Sequence, residues 1–229
     1  MADSISVGSP EIIVRLRRSA RARRMTLRLS NATGIATLTL PKRANLTEAR
    51  LFAERQQEWL RKNLAKRPVR SGVTLGQTIG FRDISVQLVQ GTGRVVSLKD
   101  NLLQIPGNPD VAGRKLQGWL KAQARIELTA ASQHYAVKLG KPFASIALRD
   151  TRSRWGSCSA TGALMYSWRL ILAPASVLDY VAAHEVAHLK MMNHSAEFWD
   201  EVAKLKPEYK KDRDWLRKNG PALHALDFG

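Results

Sequence analysis

Cysteine is almost absent from this 229-residue chain: Cys158 stands alone, so no internal disulfide can brace the fold. Aromatic residues are sparse, at 7%, and none precedes Phe52, which excludes a base-stacking platform in the first fifty residues. No apolar run approaches the roughly 18 residues that a bilayer-spanning helix needs, so no membrane partner is expected. The start, Met1-Ala2-Asp3-Ser4, lacks the basic patch and apolar stretch of a secretory signal. With the lone cysteine, this points to a cytoplasmic protein. Acidic residues are scarce too. Nineteen Asp and Glu face 37 Lys and Arg, leaving +18. Residues 1–109 hold 19 basic and 7 acidic side chains, against 18 and 12 in residues 110–229. Such an excess attracts nucleic acid, an anionic membrane face or phosphorylated substrates, or is a solvated surface with no specific partner. The 44% hydrophobic content is enough for a real core and excludes a disordered or collagen-like chain.

Periodicity predicts an α+β fold. Ile12, Val14 and Leu16 alternate with Ile13, Arg15 and Arg17, and the pattern returns at Met25–Leu29 and Ala36–Leu40, around a turn at Asn31-Ala32-Thr33-Gly34. Asn45 and Glu48 have capping-box spacing. They open one helix carrying Phe52, Trp59 and Leu60 on one side and ending at Lys66-Arg67-Pro68. Strands resume over 73–105, and Pro106-Gly107-Asn108-Pro109 is the predicted boundary between a basic β-rich domain (1–109) and a second domain (110–229). Beyond it, Leu116, Leu120, Ala124, Leu128, Tyr135 and Leu139 form a helical stripe closed by Gly140 and Pro142. Strands are expected at 144–148 and 164–172, and helices at about 175–191, 195–205 and 208–218.

The chemistry centres on His184-Glu185-Val186-Ala187-His188. On a helix, positions i and i+4 lie one turn apart on one face, so two imidazoles can bind one metal ion. Glu185, on the neighbouring flank, is placed to take a proton from a water activated by that ion. Ser176 with Asp179 is expected to cap the helix start, and the surrounding apolar residues to bury it. A catalytic zinc wants three protein ligands and one open position. His194 is the preferred third ligand on spacing and ligand type, with Glu197 and Glu201 as rivals. A left-handed Asn193 would turn the chain back, and Ser195 would cap the next helix.

With Arg154-Trp155-Gly156-Ser157-Cys158-Ser159 also in view, the sequence resembles the YgjP-like metallopeptidases, which are related to SprT-like proteases. The resemblance rests on that run, Trp168-Arg169-Leu170, Ala173-Pro174, Asp179-Tyr180-Val181, the His184–His188 motif, Asn193-His194-Ser195, Phe198-Trp199 and Pro207-Glu208-Tyr209, with an arginine-rich stretch near Arg21-Ala22-Arg23-Arg24. Ser167 and Val186 depart from it, standing for Asn and Leu. The resemblance implies a zincin-like catalytic domain of helices and an antiparallel sheet, holding one Zn²⁺ through His184, His188 and His194, with Glu185 as acid/base. Metzincins share the six-residue step to the third His but need Gly where Met191 stands.

The remaining candidates have competing readings. The Arg154–Ser159 run is either a strand rim facing the metal, with Arg154 gripping an anionic or carbonyl group and Ser157 on an edge that pairs with peptide, or a core anchor (Trp155) beside a bulge. Cys158 is a thiolate ligand or a small buried hydrophobe. Tyr166, Tyr180 and Arg169 are oxyanion-stabilising candidates; His134 and His224 lack ligand spacing and read as solvated. Seven arginines between Arg15 and Arg28 suit phosphate contacts. The preferred function is a zinc-dependent metallopeptidase acting on protein or peptide, with the basic half recruiting substrate. The alternative is a metal-dependent hydrolase of nucleotides or other phosphorylated substrates, using Arg154 and Arg169. A third reading is a non-enzymatic nucleic-acid-binding module with a structural zinc, which the intact Glu185 disfavours.

Overall fold

A computed structural model describes residues 4–30, 34–65 and 69–229. The turn expected at Asn31-Ala32-Thr33 and the helix stop at Lys66-Arg67-Pro68 lie outside them. Two compact units emerge, Met1–Pro68 and Val69–Gly229, both mixing helices with small sheets.

In the first unit, β1 (Ser4–Val7), β2 (Ile12–Ser19), β3 (Thr26–Leu29) and β4 (Ala36–Pro41) form a sheet in the order β1-β2-β4-β3, with the central β2·β4 pair parallel and the outer pairs antiparallel. Strand alternation sends Ile5, Val14, Ala36, Leu38 and Leu40 to one face, where they bury against Ala49, Ala53 and Leu60. Each such leucine, removed from water, contributes about 1.5–3 kcal/mol. Two helices supply the cover where one was expected: α1 (Leu46–Arg55) and α2 (Gln57–Ala65). The break is at Gln56, whose φ of −98° and ψ of 5° interrupt the helix. Leu60 is buried and Phe52 half-buried, but Trp59 is exposed. Asn45 caps α1 by accepting from the Thr47 N–H at 2.9 Å.

The second unit opens with β5 (Ser71–Gly72) and a second four-stranded sheet of β6 (Thr78–Phe81), β7 (Ile84–Gly91), β8 (Ser97–Lys99) and β9 (Leu102–Pro106). Its order, β6-β7-β9-β8, with one central parallel pair between antiparallel ones, repeats the topology of the first sheet. Ile79, Val86, Leu88, Leu103 and Ile105 from this sheet share one core with α3 (Ala112–Leu139) and the helices beyond. The compact units therefore part at 68/69, and Pro106–Pro109, expected as the domain boundary, lies within the second unit, where it joins the end of β9 to a short 3₁₀ helix (Pro109–Val111) that leads into α3. Gly140, at φ 71°, ends α3 in the left-handed conformation.

After α3 comes a three-stranded sheet that is mixed where an antiparallel one was expected: β10 (Ser145–Arg149) pairs parallel with β12 (Ala163–Ser167), the chain crossing back before β12, which pairs antiparallel with the edge strand β11 (Gly156–Cys158). The strand expected to run to Leu172 stops at Ser167; Trp168–Leu172 is a 3₁₀ turn with all five side chains buried. Then follow α4 (Ala175–Ala187), α5 (Ala196–Leu205), α6 (Tyr209–Leu223) and β13 (Leu226–Asp227), which pairs with β5. Among the described residues, no helix is long and apolar enough to cross a membrane.

Candidate metal centre

The platform of the site is α4, which is almost wholly apolar. Val177, Leu178, Val181, Ala182, Ala183, Val186 and Ala187 are buried, so the helix is gripped on most of its circumference and its polar side chains are held in place. Its start is not capped by Ser176 and Asp179 as expected. The Asp83 carboxylate, from the β6–β7 turn, accepts the Ala175 N–H at 3.1 Å, while Asp179 accepts from Tyr135 Oη at 2.5 Å and Lys206 Nζ at 3.1 Å. The helix ends at Ala187, earlier than the predicted 191. His188 keeps right-handed helical torsions (φ −64°, ψ −19°), so the one-turn spacing from His184 survives.

His184, His188 and His194 offer one ring nitrogen each within a 4.8 Å span. His194 Nε2 lies 3.1 Å from His184 Nε2. His188 Nδ1 sits 2.9 Å from the Met191 carbonyl oxygen. As a carbonyl only accepts, that nitrogen carries the proton and Nε2 keeps its lone pair. Burial first, then the neighbouring imidazoles, pushes His184 down to about 3; burial also lowers His188, opposed by the Met191 contact. Both rings are therefore neutral at physiological pH, the state in which imidazole ligates. This donor set fits a borderline divalent ion such as zinc. The return of the chain uses no left-handed Asn193, which is absent from the positive-φ residues. Instead Asn193 Oδ1 accepts the Ser195 N–H at 3.2 Å, and Ser195 Oγ accepts the Phe198 N–H at 3.4 Å, capping α5. Phe198, fully buried, stacks on His188 at 4.4 Å and 22° and meets His184 and His194 edge-on.

Glu185 is 5% exposed and faces β11. Burial pushes its carboxyl up to about 8, with the Arg154 charge pulling the other way. Gly156 is what lets it fit: a Cβ there would stand 2.5 Å from Glu185 Oε1. A cleft of about 580 Å³ runs between α4 and β11, with Arg154, Ser157, Tyr180, Glu185 and the three histidines on its walls. Burial, opposed by Arg213, raises the Tyr180 hydroxyl to about 12, so it remains a donor.

Other expected site residues fall elsewhere. Arg169, 6% exposed, forks onto Asp150 at 2.6 and 3.0 Å and donates to the Leu223 and Leu226 carbonyls at 2.9 and 2.8 Å. Four of its five N–H donors are used, two on Asp150 and two in tying the 3₁₀ turn to the C-terminal segment. Tyr166 is fully buried, its hydroxyl 2.9 Å from Ser132 Oγ, and does not line the cleft. Neither is among the residues that line the cleft. Cys158 is on the cleft wall but outside the imidazole cluster, and burial followed by the Glu185 charge raises its thiol. Glu201 pairs with Lys190 at 2.9 Å, and Glu197 is exposed. His134 is exposed, but His224, expected in solvent, is 8% exposed and stacked on Trp155 at 4.8 Å and 26°. Trp155 is thus both an anchor and part of the wall. The Met191 carbonyl and the Asp83 cap went unseen in the sequence: a backbone oxygen has no residue signature, and Asp83 acts across 92 positions.

No curated protein matches the chain at a significant level. Among solved structures it is similar to the metallopeptidase zymogen of Pyrococcus abyssi abylysin, at 24% identity over 39% of this chain and 90% of that one, with a TM-score of 0.36. The family model for the YgjP-like metallopeptidase domain matches residues 23–219, from the turn after β2 into α6 and across the whole imidazole site. The chain belongs to the YgjP-like metallopeptidase family and is a metal-dependent peptidase.

Proposed function

We propose that the second unit is a zinc peptidase in which His184, His188 and His194 hold one ion and Glu185 is the general base. The observation that carries this reading is the convergence of three imidazoles, two with Nε2 atoms 3.1 Å apart and the third fixed by Met191, beside one buried carboxylate. A bound zinc supplies Lewis acidity toward a peptide carbonyl and toward water. Glu185 takes the proton of the attacking water and returns it to the leaving amine nitrogen. β11 is the edge of its sheet, so its outer backbone groups are free to pair with an extended peptide laid along the cleft. Ser157 lies on that edge; Arg154, exposed at the mouth, grips a carbonyl or carboxylate of the peptide. Tyr180, on the wall, supplies a hydroxyl donor for the developing oxyanion, a role from which Arg169 and Tyr166 are removed by their burial. The nucleotide-hydrolase alternative needed Arg169 beside Arg154 for the phosphates, and Arg169 is committed to Asp150.

The test is cleavage of an unfolded protein substrate by the wild type and by Glu185→Gln, with zinc content measured on both. The expected result is equal zinc and a loss of kcat of about 10²–10⁴-fold in the variant. Unchanged cleavage by Glu185→Gln removes the assigned base, and absence of cleavage by the zinc-loaded wild type removes the peptidase assignment of this site.

A further inference from the structure

One face of the β1-β2-β4-β3 sheet is covered by α1 and α2; the other carries the arginines. The register sets them in rows. Arg15, Thr37 and Arg28 lie side by side across β2, β4 and β3, with Ser4 beside Arg15 on β1; Arg17, Thr39 and Thr26 make the next row. Strands are spaced by about 4.8 Å and alternate residues by about 6.7 Å, so Arg15, Arg17 and Arg28 stand on a triangle with sides of roughly 7–12 Å. All three are exposed, and among the described residues none has an ion-pair or hydrogen-bond partner. Arg18 differs: it is spent on the Lys42 and Ala44 carbonyls at 2.8 and 2.9 Å. No acidic residue occupies an outward position in these rows.

The fold does not require this array. β6-β7-β9-β8 has the same topology, yet its outward positions on the three corresponding strands are Gln87, Val89, Leu102, Gln104, Ser97 and Lys99, with one cation and no arginine. The charge is concentrated accordingly: residues 1–68 hold 15 Lys and Arg against 5 Asp and Glu, +10 of the total +18 in under a third of the chain.

We propose that this open sheet face binds the phosphodiester backbone of nucleic acid without regard to sequence. Every cation before Lys42 is an arginine, whose planar fork grips phosphate oxygens in pairs, and the interleaved Thr and Ser hydroxyls donate to the same oxygens. No aromatic residue stands on the face, so bases are not stacked or read. Among the described residues, Ile13 is the one large exposed apolar side chain on it, too little for insertion into a lipid surface.

The experiment is fluorescence anisotropy of the full chain with a labelled mixed-sequence duplex and a single strand, over 50–300 mM salt. Arg15→Ala/Arg17→Ala/Arg28→Ala is compared with Arg50→Ala/Arg55→Ala/Lys62→Ala, which removes the same charge from α1 and α2. The expected result is binding by the wild type, a loss of about tenfold or more in the sheet triple, and a fall of about 2–3 in the slope of log K against log salt. The helix triple stays within about threefold. Arg15→Lys/Arg17→Lys/Arg28→Lys, which keeps the charge, retains most of the slope. The proposal is overturned by a wild type that binds neither oligonucleotide, by equal losses in the two alanine triples, or by a lysine triple as defective as the alanine one. It is overturned equally if the sheet triple loses binding to phosphatidylserine vesicles and keeps oligonucleotide binding.

Discussion

Gly156→Ala separates the position of Glu185 from its presence. The new methyl carbon would stand 2.5 Å from Glu185 Oε1, 2.6 Å from Cγ and 2.7 Å from Cδ, where contact becomes ordinary only at 3.4 Å, so the carboxylate must retreat by about 0.7–0.9 Å. The backbone does not object, since Gly156 lies outside the left-handed region. Nor can α4 yield, because its apolar residues are packed into the core; the strain goes to the torsions of one long side chain, at about 1 kcal/mol. A displacement near 1 Å at a proton-transferring group lowers the rate by about 10²-fold. Gly156→Ala should therefore keep its zinc, keep its melting temperature within a few degrees, and lose about 30–100-fold in kcat with little change in KM. The assay is steady-state cleavage of a fluorogenic peptide beside metal analysis and thermal melting. A kcat within threefold of wild type would refute the reasoning, by showing that the carboxylate does not work from where it packs on β11.

Phe198→Ala should cost about 3–5 kcal/mol in a urea titration, since the ring is fully buried, and should weaken zinc about 10–100-fold in chelator competition, because it stacks on His188 and packs against both other imidazoles. Unchanged zinc affinity would reduce the ring to core packing. Arg169→Met should destabilise by about 3 kcal/mol, leaving the Leu223 and Leu226 carbonyls unpaired while Asp150, 42% exposed, is rescued by water. The folded remainder should keep kcat within threefold; a collapsed kcat at intact stability would restore Arg169 as an oxyanion donor. His224 is held down to about 4 by burial first and by the Arg169 and Arg152 charges, against the opposing pull of Asp150. The unfolded chain, titrating near 6.5, binds the proton first. Stability contributed by neutral His224 is thus complete above pH 6.5 and lost as pH falls toward 4, by about 1–2 kcal/mol after solvent screening. Urea midpoints of wild type and His224→Phe between pH 8 and 5 isolate the effect, because the other histidines are common to both; parallel curves would rule it out.

What the sequence made legible followed from short-range spacing. His184 and His188 lie one helical turn apart, and His194 follows across a turn of only six residues, so their convergence needs little tertiary information. The stripe from Leu116 to Tyr135 and the Gly140 stop read directly as α3 for the same reason. The misreadings are tertiary. Arg169 and Tyr166 carry suitable chemistry near the motif, but local pattern could not reveal that Asp150, Ser132 and two C-terminal carbonyls consume it. His224 looked solvated because no ligand spacing surrounds it, whereas its burial comes from Trp155, about seventy positions earlier.

The boundary between the units was missed for an instructive reason. Pro106-Gly107-Asn108-Pro109 is a strong local stop, but a stop marks the end of an element and says nothing of which core that element joins. Leu88, Leu103 and Ile105 bury with Leu116 and Leu120, and that shared core sets the boundary. The same reasoning explains why the two sheets of identical topology show no sequence repeat. What both copies preserve is one apolar face and the order of pairing, which many residues satisfy. The other face is unconstrained by folding, and there the copies differ: Arg15, Arg17 and Arg28 on one, glutamines and a single Lys99 on the corresponding strands of the other. Differences confined to a face the fold leaves free are where a function other than folding is to be sought, and the anisotropy comparison of sheet and helix triples asks for it there.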